Sequence, residues 1–234
     1  MATYPLALLP VVTLSGAETQ LPPHGYGASA GTGSPAQAIA GWVSQGAAWI
    51  HVVDQDAIED RPANHHAVVS CRAHLQYSGG VRDGASLTAA LATGASRVVI
   101  EATDLDWALA TVASRSDRLA VGLDIGHPDV LEIAGALQRA GASRFVVTDR
   151  AEANPWKHGD RHLLADFCSH TNRPVMAFGG VAHLSDLHAL HELVPHGLDG
   201  IVIGDALYDG AFAYSEALAA GADRFDMFYW GPPE

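Results

Sequence analysis

The sequence has little of what would tie the chain to a membrane or to nucleic acid. Among its 234 residues no apolar run is long enough to span a bilayer. Lys and Arg number 13 against 26 Asp and Glu, which gives a formal net charge of −13. Nucleic acid and anionic membrane surfaces both require basic patches, so we expect neither as a partner.

Cysteine is equally scarce. Cys71 and Cys168 are far apart, and their spacing matches no metal motif. Two such thiols fit a reducing compartment and core packing, which predicts a cytoplasmic protein. The 13 His residues form candidate pairs, but none is part of a tight ligand motif, so we predict no metal site and no cofactor.

Short apolar runs alternating with helical patterns are what the sequence does contain. Eight candidate strands are Leu8–Thr13, Trp49–Asp54, Leu75–Ser78, Val98–Glu101, Ala120–Asp124, Phe145–Thr148, Val175–Phe178 and Ile201–Gly204. Strands that are apolar on both faces and alternate with helices predict parallel βαβ units. Eight units in this length predict an α/β fold, a (β/α)8 TIM barrel, as a single domain over residues 1–234.

Two segments lie outside this alternation. Thr19–Ser34 is rich in Gly, Pro and Ala, which predicts a loop after the first strand. Phe225–Trp230 is aromatic, which is typical of a segment packed on the barrel or on a partner subunit. Monomer and homodimer both stay open.

A glycine pair follows two of the predicted strands. Gly79-Gly80 comes after Tyr77-Ser78, and Gly179-Gly180 comes after Phe178, 100 residues later. Glycines at a strand end let backbone N–H groups approach an anion closely, and the following helix N-terminus favours negative charge. The alternative is that the glycines serve only tight turns. Two copies in matching positions indicate a chain built from two similar halves.

Several motifs together resemble the phosphoribosyl isomerase A family of histidine biosynthesis, including the bifunctional form that also serves tryptophan biosynthesis. They cover nearly the whole chain. They are Leu8-Leu9-Pro10, Trp49–Ala57, Ser78-Gly79-Gly80-Val81-Arg82-Asp83, Val121–Asp124, Val147-Thr148-Asp149, Gly179-Gly180-Val181 and Ile203–Tyr208.

The resemblance implies a half-symmetric (β/α)8 barrel and an aldose-to-ketose rearrangement of an aminoaldose phosphate. That reaction needs an acid to open the sugar ring and a base to remove the proton at C2. The family uses two carboxylates and binds two phosphates in glycine-rich turns.

This chain departs from the family at the expected carboxylates. The first falls on Thr13 and the second on Ala153, with Glu152 beside it. The glycine of a family phosphate turn is Glu101 here. An arginine of the loop after the first strand falls on Gln20 or Leu21.

The remaining polar residues at the predicted strand ends are the candidate site. We expect catalytic roles for Asp124, Glu101, Thr148 and Thr13. We expect ligand binding by Ser78, Gly79, Gly80, Arg82, Asp54, Phe178, Gly179, Gly180 and Gly204.

Three functions remain open on the sequence. The departures favour a diverged enzyme that isomerises, cyclises or otherwise rearranges a small molecule other than the family's bisphosphate, with the ancestral activity lost. The second is the aminoaldose-phosphate isomerase itself, with Asp124 and Glu152 as a rearranged pair. The third is a binding barrel without catalysis.

Overall fold

The computed structural model describes residues 6–16, 18–20, 34–69, 71–149 and 160–222. Nine strands lie in these ranges. They are β1 Ala7–Ser15, β2 Glu18–Gln20, β3 Trp49–Asp54, β4 His74–Ser78, β5 Arg97–Glu101, β6 Leu119–Asp124, β7 Phe145–Thr148, β8 Val175–Phe178 and β9 Leu198–Ile203.

Eight of these strands form a closed parallel barrel. The order runs from β1 through β3 to β9 in sequence, and β9 pairs in parallel with β1 to close the ring. The predicted (β/α)8 barrel is confirmed. In a ring of eight strands β4 and β8 lie opposite each other, so the two glycine pairs face one another across the mouth.

β2 is the one strand of the described chain that the sequence did not predict. It pairs antiparallel with the end of β1, with Thr13 opposite Gln20 and Ser15 opposite Glu18. The predicted loop Thr19–Ser34 therefore begins inside a strand, because backbone pairing with β1 extends this short polar segment. Residues 21–33, which include Leu21, lie outside the described residues.

The helices follow the strands around the outside. They are α1 Pro35–Ser44, α2 Gln55–Ile58, α3 Gly84–Ala92, α4 Leu105–Ser114, α5 Val130–Ala140, α6 Asp160–His170, α7 Leu184–His191, α8 Asp205–Tyr208 and α9 Tyr214–Gly221. After β3 the connection holds only α2 and a 3-10 turn at His65–Ala67.

The strand side chains make the core. Val12, Ile50, Val98 and Val147 are fully buried, as expected for strands covered on both faces. Burying each such side chain contributes about 1.5–3 kcal/mol to folding. The core places the carboxyl ends of all eight strands at one mouth, where barrel enzymes bind their ligands. Among the described helices, none combines the length and apolar character that crossing a bilayer requires.

Candidate active site at the barrel mouth

Five of the predicted site residues line one cavity of about 370 Å³ at the mouth. They come from four neighbouring or facing strand ends, and they are Ser78, Gly79, Glu101, Thr148 and Phe178. His51, which the sequence analysis did not select, lines the same cavity.

A second cavity of about 590 Å³ lies beside the first. Predicted residues from the ends of β1, β8 and β9 line it, namely Thr13, Phe178, Gly179, Gly180 and Gly204. The ring of Phe178 borders both cavities. The mouth therefore contains two adjoining spaces, each beside one glycine turn.

Asp124 lies on a third, smaller cavity of about 260 Å³, which Glu101 also borders. Asp124 Oδ1 accepts a hydrogen bond from Gly126 N at 3.1 Å. A Cβ built on Gly126 would lie 3.4 Å from Asp124 Oδ1 and 3.5 Å from Asp149 Oδ1. Two carboxyl groups, from the ends of β6 and β7, therefore border the same glycine. Asp149 was not predicted as a site residue, although it directly follows Thr148 at a strand end.

The first glycine turn has both glycines in the left-handed region, with φ of 121° at Gly79 and 63° at Gly80. A Cβ at Gly79 would lie 2.4 Å from the Asp54 carbonyl oxygen, so only glycine fits there. The N–H of Gly80 donates to Glu101 Oε1 at 3.0 Å. The carboxylate of Glu101 is therefore bound inside the first turn.

The second glycine turn repeats this backbone, with φ of 80° at Gly179 and 72° at Gly180. Gly179 N donates to Val202 O at 3.0 Å. Asp186 Oδ2 accepts from Ala182 N and His183 N, both at 2.9 Å, and so caps the start of α7. No protein acceptor within the described residues bonds to the N–H of Gly180.

His51 lies on the floor of the first cavity in a fixed orientation. Arg97 donates to Gln76 Oε1 at 2.7 Å, so the Gln76 amide nitrogen faces His51 Nδ1, at 2.8 Å. An amide nitrogen only donates, hence Nδ1 accepts and Nε2 carries the proton toward Ser78 Oγ, at 2.9 Å.

The same surroundings keep His51 neutral. Burial first, and then the positive charge of Arg97, lower the pKa of its imidazole to about 3. The imidazole is therefore neutral at neutral pH, and its one N–H is donated to Ser78 Oγ. The signal for this residue in the sequence was a polar side chain inside an otherwise apolar strand.

Asp54 lies beneath the mouth and does not line the three cavities described above. It is fully buried, and its Oδ2 accepts from Tyr77 Oη at 2.7 Å and from Asn64 N at 2.5 Å. These hydrogen bonds give Asp54 a role in holding the connection between β3 and β4, and its predicted role in ligand binding stays a prediction. Protein donors therefore meet the hydrogen-bonding requirement of this buried carboxylate.

Asp56 supports the end of β1. Its carboxylate accepts from Asn64 Nδ2 at 2.7 Å and from Gly16 N at 2.6 Å, and it pairs with Arg61. The Asn64 bond first, then the Gly16 bond and the Arg61 bond, lower its pKa.

Arg82 lines none of the three cavities described above. Its guanidinium pairs with the exposed carboxylate of Asp60. Its predicted role in ligand binding stays a prediction.

The second carboxylate position of the resemblance, Ala153 with Glu152, lies outside the described residues, as does the aromatic segment Phe225–Trp230. Among the described His, Cys, Asp and Glu, no three come together as a metal site would require.

The fold and the site together define a class of protein: a half-symmetric (β/α)8 barrel with two facing glycine turns at its mouth. A family model described as histidine biosynthesis protein matches residues 27–213. The chain belongs to this histidine biosynthesis family, and the resemblance stated from its motifs is confirmed.

Relatives match over nearly the whole length. A protein of Thermobifida fusca is 40% identical, covering 92% of this chain and 96% of the relative. One of Salinispora arenicola is 40% identical, covering 93% and 99%. Both are named as isomerases of an imidazole-4-carboxamide that carries phosphoribosyl groups. A relative from Streptomyces griseus, named phosphoribosyl isomerase A, is 38% identical over 93% of this chain.

These relatives overturn one hypothesis. The sequence favoured a diverged enzyme that acts on something other than the family's bisphosphate, and this hypothesis is wrong: relatives of about 40% identity over most of the chain are named as the histidine-biosynthesis isomerase. The hypothesis gave a few altered positions, Thr13 and Ala153 above all, more weight than the similarity of the whole chain. The comparisons support an enzyme.

Proposed function

We propose that the chain is an aldose-to-ketose isomerase of histidine biosynthesis, acting on an imidazole carboxamide that carries two phosphoribosyl groups. The observation that carries this proposal is the similarity, end to end, to relatives named for that reaction. The enzyme works on a small molecule, and we place it in the cytoplasm as a monomer or homodimer.

The geometry of the mouth supports a ligand with an anionic group at each end. Two left-handed glycine turns, at Gly79-Gly80 and Gly179-Gly180, open into adjoining cavities of about 370 and 590 Å³. Backbone N–H groups in such turns bind phosphate oxygens. A substrate with two phosphates would lie across the mouth from one turn to the other.

The proton transfers are assigned to Asp124 and Asp149. Ring opening needs an acid at the sugar oxygen, and the rearrangement needs a base at C2. The two carboxyl groups border the same glycine, Gly126, and Asp124 lines the cavity of about 260 Å³. Glu101 was expected to be catalytic, but its carboxylate is held by Gly80, so we do not assign it a proton transfer.

Two neutral hydroxyl groups would orient the substrate. The hydroxyl of Thr148 borders the first cavity, and the hydroxyl of Thr13 borders the second. Hydroxyl donors hold a sugar phosphate without repelling it, whereas the Nε2–H of His51 is already donated to Ser78 Oγ. Phe178, between the cavities, offers an apolar surface on which the imidazole ring of the ligand packs.

The test is an isomerase assay with the purified chain and complementation of a histidine auxotroph that lacks this isomerase. We expect turnover and growth on medium without histidine. The hypothesis that the activity is lost predicts neither, and absence of both would refute the proposal.

Variants test the assignment of the acid and the base. Asp124→Asn and Asp149→Asn should each lower kcat by about 100-fold or more, the usual scale for a lost acid or base. Asp117→Asn, an exposed carboxylate that precedes β6 at the opposite end of the barrel, is the matched control and should retain the parent kcat. An unchanged kcat in both site variants would contradict the assignment.

A further inference from the structure

The two glycine turns share a backbone but differ in what they hold. In each turn both glycines have positive φ, and each turn follows the end of a strand on opposite sides of the barrel. Gly80 N–H donates to the Glu101 carboxylate at 3.0 Å. Its counterpart Gly180 N–H bonds to no protein acceptor within the described residues.

The chain's own repeat shows where this difference arises. Val98-Val99-Ile100-Glu101 at the end of β5 corresponds to Ile201-Val202-Ile203-Gly204 at the end of β9. The first half therefore has a glutamate at the position where the second half has a glycine. The backbone at this position is anchored, because Glu101 N donates to Val81 O at 2.8 Å. The difference between the halves is a side chain that reaches into the neighbouring turn.

We propose that Glu101 is an internal anion which occupies the first glycine turn and sets the affinity of that turn for phosphate. A ligand phosphate enters the turn only when the Glu101 carboxylate leaves Gly80 N–H, because two anions cannot share one donor. The second turn, beside Gly180 and Gly204, is the more open anion site, because no described carboxylate bonds to its glycine N–H groups, although Asp205 and Asp209 line its cavity. Glu101 is thus a specificity-determining residue that weakens one end of the substrate site; the identity of that substrate rests on the proposed function.

The charge on Glu101 and its position both contribute to this effect. A carboxylate repels a phosphate a few ångströms away, and the cavity walls strengthen the repulsion relative to water. The Glu101 side chain borders the cavities of about 370 and 260 Å³, so it has space to move into when displaced. Glu101→Gly reproduces the second half of the chain at this position, and Glu101→Gln keeps the shape while removing the charge.

The experiment follows backbone amide signals of Gly80 and Gly180 by nuclear magnetic resonance while inorganic phosphate is added to ¹⁵N-labelled protein. In the parent, the Gly180 amide should shift at lower phosphate concentration than the Gly80 amide. In Glu101→Gly the Gly80 amide should respond at a concentration at least about tenfold lower than in the parent, a factor that corresponds to about 1.4 kcal/mol. Glu101→Gln should move it in the same direction.

Glu192→Gln is the matched control, because it removes one exposed carboxylate at the far end of α7, away from the mouth. It should leave both amide titrations unchanged. If Gly80 and Gly180 respond at the same phosphate concentration in the parent, or if neither Glu101 variant shifts the Gly80 titration, the proposal is refuted.

This readout is independent of catalysis. A parent protein without isomerase activity would refute the proposed function and leave the amide titrations to decide the role of Glu101. With active enzyme, Glu101→Gly should lower KM at least about tenfold with a smaller change in kcat, since it removes a ground-state competitor for the site.

Discussion

A buried imidazole on the floor of the mouth predicts how the stability of this barrel depends on pH. His51 is fully buried, and burial together with the charge of Arg97 lowers the pKa of its imidazole from 6.5 to about 3. The folded protein therefore binds this proton far less readily than the unfolded chain. The contribution of neutral His51 to the free energy of unfolding is fully present above pH 6.5 and is lost as the pH falls toward 3.

The magnitude follows from the shift. Each pH unit below 6.5 favours the unfolded chain by about 1.4 kcal/mol until the folded imidazole itself titrates. At pH 5 the free energy of unfolding should be about 2 kcal/mol lower than at pH 7 from His51 alone. The limiting loss near pH 3 is about 5 kcal/mol, which is comparable to the whole stability of many domains.

The assay is urea unfolding, followed by circular dichroism, of the parent and His51→Gln at pH 7, 6 and 5. Other titrating groups are common to both proteins, so the difference between the two curves isolates His51. We expect that difference to change by about 2 kcal/mol between pH 7 and 5 in favour of the variant. His162→Gln removes an exposed histidine of α6 and is the control. It measures how much a His-to-Gln substitution changes the free energy of unfolding when the histidine is not buried. A difference between parent and His51→Gln that is independent of pH would refute the reasoning.

Two further predictions concern the support of the mouth. Gly79→Ala should lower the free energy of unfolding by at least about 2 kcal/mol more than Gly179→Ala, because its Cβ would lie 2.4 Å from Asp54 O, whereas no atom lies within 4 Å of a Cβ at Gly179. Urea unfolding of both variants tests this, and equal losses would contradict it. Tyr77→Phe removes the 2.7 Å hydrogen bond to buried Asp54 and should cost about 1–3 kcal/mol by the same measurement. A loss below about 0.5 kcal/mol would show that the remaining donors, from Asn64 and Ala57, satisfy the carboxylate.

The barrel was predictable from the sequence because its strands are buried on both faces. Runs such as Phe145–Thr148 and Val175–Phe178 are continuous apolar segments of strand length, and the structure gives the same bounds. β2 was not predictable from periodicity, since Glu18–Gln20 has no apolar pattern and exists by pairing with β1. The described part of the connection after β3 holds α2 and one 3-10 turn.

The candidate site was only partly predictable. The strand ends predicted Ser78, Thr148 and Phe178 at the mouth, and the three line one cavity, because parallel strands in a barrel end at the same mouth. Contacts between residues distant in the chain could not be read from the pattern. Asp54 follows a strand like the others, yet donors from Asn64 and Tyr77 satisfy it below the mouth.

The line of side chains from Arg97 through Gln76 and His51 to Ser78 runs along the inside of the barrel, from the amino end of β5 to the mouth. An amide has one oxygen and one nitrogen, so Gln76 cannot turn the same atom to both neighbours. A cation at the closed end thereby determines whether the imidazole donates a proton to Ser78, at the mouth, or accepts one from it. The base of the barrel, usually regarded as scaffold, thus sets the polarity of the surface that the substrate meets.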